Sequence, residues 1–140
     1  MRRYSNRVTV CITFLSFVLM GGLLYYNALH NPFHYDDAHH ITMNPSIRDL
    51  SGSSSLFSDP STFSNERLER GSPYRPLLML TYALNFRVNG LNPAGYHVVN
   101  LAFHVGAAFL VFLIVRAIFT QAYFAALSAG ILFLVHPFNS

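Results

Sequence analysis

Two adjacent carboxylates, Asp36 and Asp37, lie in the stretch FHYDDAHHITMNP (residues 33–45), with His34, His39 and His40 within three residues of them. Such a pair can take a proton from an attacking hydroxyl as a general base, or ligate a hard divalent cation. Asp is also favoured at helix N-caps and in solvated turns, so the dipeptide alone leaves both uses open. Asp37, His39 and His40 are the candidate metal ligands. Neighbouring side chains on a helix diverge by about 100°, which works against all of them meeting at one ion. The sequence specifies no cofactor beyond leaving a divalent metal open.

A second polar group, His97, Asn100 and His104, recurs at spacings of three and four and therefore shares one helix face. Inside an apolar segment such side chains must face protein or a watery cavity, as interhelical hydrogen bonds or as ligand contacts. Arg75 and Arg87 flank the short run PLLMLTYALNFRV. Either guanidinium can meet a lipid-linked phosphate, and either can snorkel to water. His136, followed by Pro137, closes the last apolar segment and is placed to cap its carbonyls.

The elements that must carry these residues belong to a membrane protein. Of 140 residues, 52% are hydrophobic and 11% charged, against about 25% charged in a soluble domain. All nine basic residues are arginine, and all six acidic residues fall between positions 36 and 69. The net charge of +3 forms no basic stripe, which argues against nucleic-acid binding. The one cysteine, Cys11, excludes an internal disulfide and reads as an apolar filler.

Val8–Leu29 is a run of 22 residues without a charge, long enough at about 1.5 Å per residue to cross a bilayer core of about 30 Å. Its length and the lack of a small-x-small site favour an uncleaved span over a signal peptide. A second span is expected over 96–115, starting at Tyr96 or His97. A third runs over 121–136, rich in small residues suited to close packing. Arg2, Arg3, Arg7 and Arg116 mark the cytoplasmic side by the positive-inside rule. Residues 1–7 and the 116–120 turn are then cytoplasmic, and residues 30–95 form a large extracytoplasmic loop carrying the acidic pair. Within it, the Ser-rich stretch 50–65 is expected to bury little and to form a mobile surface loop. Residues 76–88 form a helix too short to span, with Pro76 at its first position, suited to lying in the membrane interface.

In chain order, YDDAHHITMNPSI, YRPLLMLTYALNF, GLNPAGYHVVNLAFH and a small-residue span closing in LVHPFNS resemble the transmembrane and tetratricopeptide-repeat O-mannosyltransferase family. They also resemble its bacterial relatives, among which this chain is expected to fall; the whole group belongs to the polytopic GT-C glycosyltransferases. The resemblance covers about residues 8 to 140. It implies an all-α polytopic fold whose first extracytoplasmic loop carries the catalytic acidic motif, here Asp36 and Asp37. It further implies a polyprenyl-phosphate sugar as donor and a protein or glycan hydroxyl as acceptor. Tyr74-Arg75-Pro76 and the interfacial helix would line the donor groove, with Arg75 offsetting phosphate charge. His97, Asn100 and His104 would pack helices beneath the active site. Localisation would be the bacterial inner membrane, or the endoplasmic reticulum in a eukaryote.

Chains of that family are several times longer, and three spans cannot enclose a lipid-donor cavity. The chain is therefore expected to be a fragment or truncated reading frame, inactive by itself, ending in residues 137–140. A rival class is a small non-catalytic membrane anchor or interaction subunit, in which neutralising Asp36 and Asp37 changes nothing but folding. A third, histidine-based metal uptake, requires metal binding that disappears when His39 and His40 become alanine.

Overall fold

In the computed structural model, residues 2–34, 37–49, 54–63 and 75–136 are described; they form helices and turns, with no strand among them. The chain divides into two units, residues 1–29 with 97–140, and residues 30–96.

The first unit is built from apolar helices. Helix α1 spans Arg2–Leu24. It ends earlier than the expected 8–29: Tyr25 N–H still reaches Gly21 O (3.0 Å), but Ala28 N–H reaches back only to Tyr25 O (3.0 Å), and the chain tightens into a 3₁₀ segment, Tyr26–His30. Helix α2 (Ser55–Ser58), helix α3 (Pro76–Asn89) and helix α4 (Pro93–Ile118) follow in the chain, and α5 covers Tyr123–Val135. Arg7–Leu24 and Pro93–Ile118 are long and apolar enough to cross a membrane, and only 17% of each apolar window is buried within the protein. Leu15, Leu19, Leu23, Phe103, Leu110 and Ile114 are instead exposed, the outward-facing pattern that lipid would cover. The expected third span is a helix of 13 residues. At about 1.5 Å per residue it reaches roughly 20 Å, short of a bilayer core of about 30 Å.

Phe17, Val105, Ala108, Phe112, Ala126 and Leu134 form this unit's core. Gly130 lets α5 approach closely: a Cβ there would sit 2.6 Å from the Phe17 ring and 3.0 Å from the Ala108 carbonyl. With Ala126 one turn away, this is the small-residue contact that substitutes for hydrophobic drive between helices in lipid. Hydrogen bonds tie both ends of α5. Thr13 spends its only hydroxyl proton on Thr9 O (2.8 Å), so Tyr123 O–H donates to Thr13 Oγ1 (2.9 Å). At the other end, Leu134 O accepts from Tyr25 O–H (2.7 Å).

In the second unit, Ile41, Ile47, Leu56, Met79, Ala83 and Tyr96 pack into one core, flanked by Phe33, Leu78, Tyr82 and Phe86. The Ser-rich stretch thus differs from its expectation. Leu56 on α2 and Thr62 in the 3₁₀ turn Pro60–Phe63 are buried, and Asn44 Nδ2 donates to Thr62 O (3.0 Å). Asp59 Oδ1 accepts from Ser61 N–H (2.9 Å), and the Ser61 hydroxyl and amide together hold this exposed carboxyl below the usual carboxylate range.

Helix α3 matches the expected 76–88 to within a residue. Its start has Pro76 at the first position, and its end is set by Gly90, whose φ of +59° few other residues adopt. The next helix begins at Pro93 rather than at 96, since Asn92 Oδ1 accepts from Ala94 N–H (3.1 Å) and proline suits the first helical position.

Candidate functional site

The sequence candidates fall into two groups, one in each unit. Asp37, His39, His40, Arg75 and Arg87 belong to the second unit; His97, Asn100, His104 and His136 belong to the first. Asp36, Tyr74 and Pro137 lie outside the described residues.

Asp37 occupies the N-cap position of a single π-turn, Ala38–Thr42, but its side chain does not cap that turn. Instead Asp37 Oδ2 accepts from His34 N–H (3.0 Å), while Asp37 N–H donates to His34 O (2.9 Å). The carboxylate does not cap the turn that follows; it closes the turn that Asp37 shares with His34, the other local use of an aspartate. One oxygen is oriented by an amide, and the other remains available to a proton or ligand on a half-exposed side chain. The turn is held from below and behind. Ile41 enters the core, Met43 N–H closes the π-turn on Ala38 O (2.8 Å), and Arg48 Nη2 donates to Thr42 O (2.8 Å). Arg48 also lies 5.8 Å over the Phe86 ring, linking the turn to α3. In the sequence, Arg48 carries no signal beyond being a lone cation just past the acidic pair.

His39 and His40 share the π-turn with Asp37, yet no three His, Cys, Asp or Glu side chains converge on a metal position among the described residues. Arg75 and Arg87 are both exposed, at opposite ends of α3. Twelve residues at about 1.5 Å each put roughly 18 Å between them, so one phosphate can engage one of them but not both. The face of α3 between them presents Leu77, Leu84 and Val88 outward.

In the first unit, His97, Asn100 and His104 do come together. They line one cavity of about 240 Å³, with Tyr25, Ala28, Leu29 and Leu101 forming the rest of its wall. His104 Nε2 lies 3.0 Å from Leu134 O and must donate, since a carbonyl only accepts. The imidazole is fixed by Tyr25 edge-on (5.4 Å) and by Phe133 stacked at 5.7 Å. His104 thus joins α4 to the end of α5, whose Leu134 carbonyl it caps. The Leu134 cap comes from Tyr25 and His104; His136 supplies the extended backbone (φ −71°, ψ 122°) that ends the helix. Tyr25 went unnoticed in the sequence, where it is one more aromatic at the end of an apolar run.

No family model matches the chain, and no solved structure matches it. Curated relatives do. Protein O-mannosyl-transferase Tmtc1 of Drosophila melanogaster is 35% identical over 84% of this chain, which spans 14% of that protein. Protein O-mannosyl-transferase TMTC3 of Homo sapiens is 32% identical over 83% of this chain, which spans 13% of it. Drosophila Tmtc2, of the same name, is 32% identical over 97% of this chain, which spans 14% of it. These relatives are animal proteins and lend no support to the bacterial assignment expected from the sequence. Over most of its length, then, this chain is homologous to about a seventh of proteins named protein O-mannosyl-transferases.

Proposed function

We propose that this chain is part of a membrane-embedded glycosyltransferase of the GT-C kind, moving a hexose from a polyprenyl-phosphate donor to a hydroxyl of a protein or glycan acceptor. The observation that carries the reaction class is the similarity, over more than four-fifths of the chain, to proteins named protein O-mannosyl-transferases. The geometry of Asp37 supports its role. In this reading α1, α4 and the short α5 lie in the bilayer, with the amino terminus cytoplasmic and residues 30–95 outside. The chemistry belongs to the longer protein.

The acceptor O–H gives its proton to a carboxylate of the Asp36–Asp37 pair as its oxygen bonds to the anomeric carbon. The bond from that carbon to the phosphate oxygen breaks, and polyprenyl phosphate leaves with the electron pair. Attack from the face opposite the phosphate inverts the anomeric centre. The His34 amide holds Asp37 Oδ2, so Oδ1 is the oxygen free to receive the proton. Arg75, exposed at the start of α3, offsets charge on the departing phosphate. The apolar outer face of α3 keeps that guanidinium at headgroup depth.

Asp37→Asn in the longer protein tests this. Loss of a general base lowers transfer of mannose from a polyprenyl-phosphate donor by about 10²–10⁴-fold, with membrane insertion unchanged. Full transfer by an inserted Asp36→Asn/Asp37→Asn protein would sink the proposal in favour of the anchor reading.

A further inference from the structure

Arg48 takes no part in the chemistry above, yet its side chain touches both elements that carry it. The π-turn Ala38–Thr42, which begins on Asp37, satisfies its first carbonyl from within. Ala38 O accepts from Met43 N–H (2.8 Å) and from the Thr42 hydroxyl (3.0 Å). The last carbonyls of so short a turn find no partner inside it. Arg48 Nη2 supplies one from six residues on, donating to Thr42 O (2.8 Å).

That reach is fixed at both ends of the residue. The backbone of Arg48 closes the 3₁₀ turn Pro45–Ile47, where Arg48 N–H donates to Pro45 O (3.1 Å). Ile47 in that turn is fully buried, in one core with Met79 and Ala83 of α3. The guanidinium lies 5.8 Å over the ring of Phe86, also on α3. A planar cation resting on a ring is oriented before it donates, which an ammonium on a flexible stem is not. Arg48 is exposed, so its bond to Thr42 O replaces one to water and matters for geometry more than for stability. Geometry is where transfer is sensitive, since a misplacement of about 1 Å can cost on the order of 10²-fold in rate.

We infer that Arg48 is a positioning residue for sugar transfer: it holds the turn that carries Asp37 against α3, and it acts on the reaction only through that carboxylate. The inference rests on the glycosyltransferase reading and on the role given there to Asp37. The holding of the turn rests on the contacts of Arg48 alone.

Mannose transfer by the longer protein in nanodiscs is compared for two variants. Arg48→Met keeps an apolar stem and removes both donor and cation; Arg48→Lys keeps a donor. For Arg48→Met the expected result is a kcat lowered about tenfold, the scale of one hydrogen bond to a charged group, with KM for donor and acceptor unchanged within about twofold. Arg48→Lys recovers part of that loss. In the Asp37→Asn background, Arg48→Met costs no more than about a further twofold, because the carboxylate it acts through is gone. Without turnover, the protection of the His34 and Met43 amides falls in Arg48→Met, while that of the Thr62 amide, bonded to Asp59 O, stays the same. A role in stability alone would multiply the loss equally in both backgrounds. That outcome, full transfer by Arg48→Met, or unchanged protection at His34 and Met43 overturns the inference and leaves the glycosyltransferase reading standing. Full transfer by the Asp37→Asn protein removes the assigned base, and this inference with it.

Discussion

Tyr25 and His104 reach one carbonyl, Leu134 O, from opposite elements. Each neutral hydrogen bond contributes about 0.5–1.5 kcal/mol, but a buried carbonyl left with no donor costs about 1–3 kcal/mol. Tyr25→Phe and His104→Phe should each destabilise modestly, and the double variant should lose more than the sum. A double-mutant cycle on unfolding free energy in detergent reads that excess, and strict additivity would show the two bonds to be independent. Asp59 makes a prediction of another kind. Its pKa is lower folded than unfolded, so its contribution is complete above the ordinary value of 3.8 and is lost as pH falls through the lower, folded value. The protection of the Ser61 amide, the intrinsic exchange rate at the same pH over the observed one, should therefore fall below about pH 4 and stay flat above it, with Asp59→Asn removing the step. Neither pairing could be read from the chain alone: Tyr25 and Leu134 are 109 positions apart, and no periodicity links them. His97, Asn100 and His104 were legible as a group because helical spacing alone places them on one face.

Helices announced themselves where their ends are set by local chemistry. Pro76 and Asn89-Gly90 bracket α3 in the sequence as they do in the structure. The end of α1 was illegible, since the apolar run continues through Leu29 while the backbone tightens at Tyr25 without any change in composition. Leu56 was hidden for the opposite reason: one leucine in a serine-rich stretch has no period to betray its burial. Close packing of α5 gives a test at this scale. Gly130→Leu would drive its side chain into Phe17, itself fully buried, and should cost about 1–3 kcal/mol or more in unfolding experiments. Gly106→Ala is its control, because a Cβ there meets nothing within 4 Å and only helix propensity changes.

At the scale of the molecule, two long apolar helices with outward-facing leucines and phenylalanines demand a nonpolar surrounding. In the proposed topology, cysteines placed at Ser5 and Phe119 should be labelled by an impermeant thiol reagent only after cytoplasmic access is opened. A cysteine at Ser58 should be labelled from outside; Cys11 is first changed to Ala. Labelling of Ser5 and Ser58 positions from the same side would refute the proposed topology. The acidic pair was legible as a candidate because so few charges surround it. What the sequence left hidden was that Asp37 turns back to the His34 amide, three residues before it, instead of capping its own turn.

The doubly capped Leu134 carbonyl also has a vibrational consequence. A C=O that accepts two hydrogen bonds stretches at lower frequency than one that accepts a single bond. Carrying ¹³C and ¹⁸O at that carbonyl alone, the protein would show an isolated amide I band displaced to the red of an ordinary helical carbonyl. Loss of either donor would move that band back, so the seating of the short third helix against the other two could be followed in real time, in a bilayer, without a fluorophore.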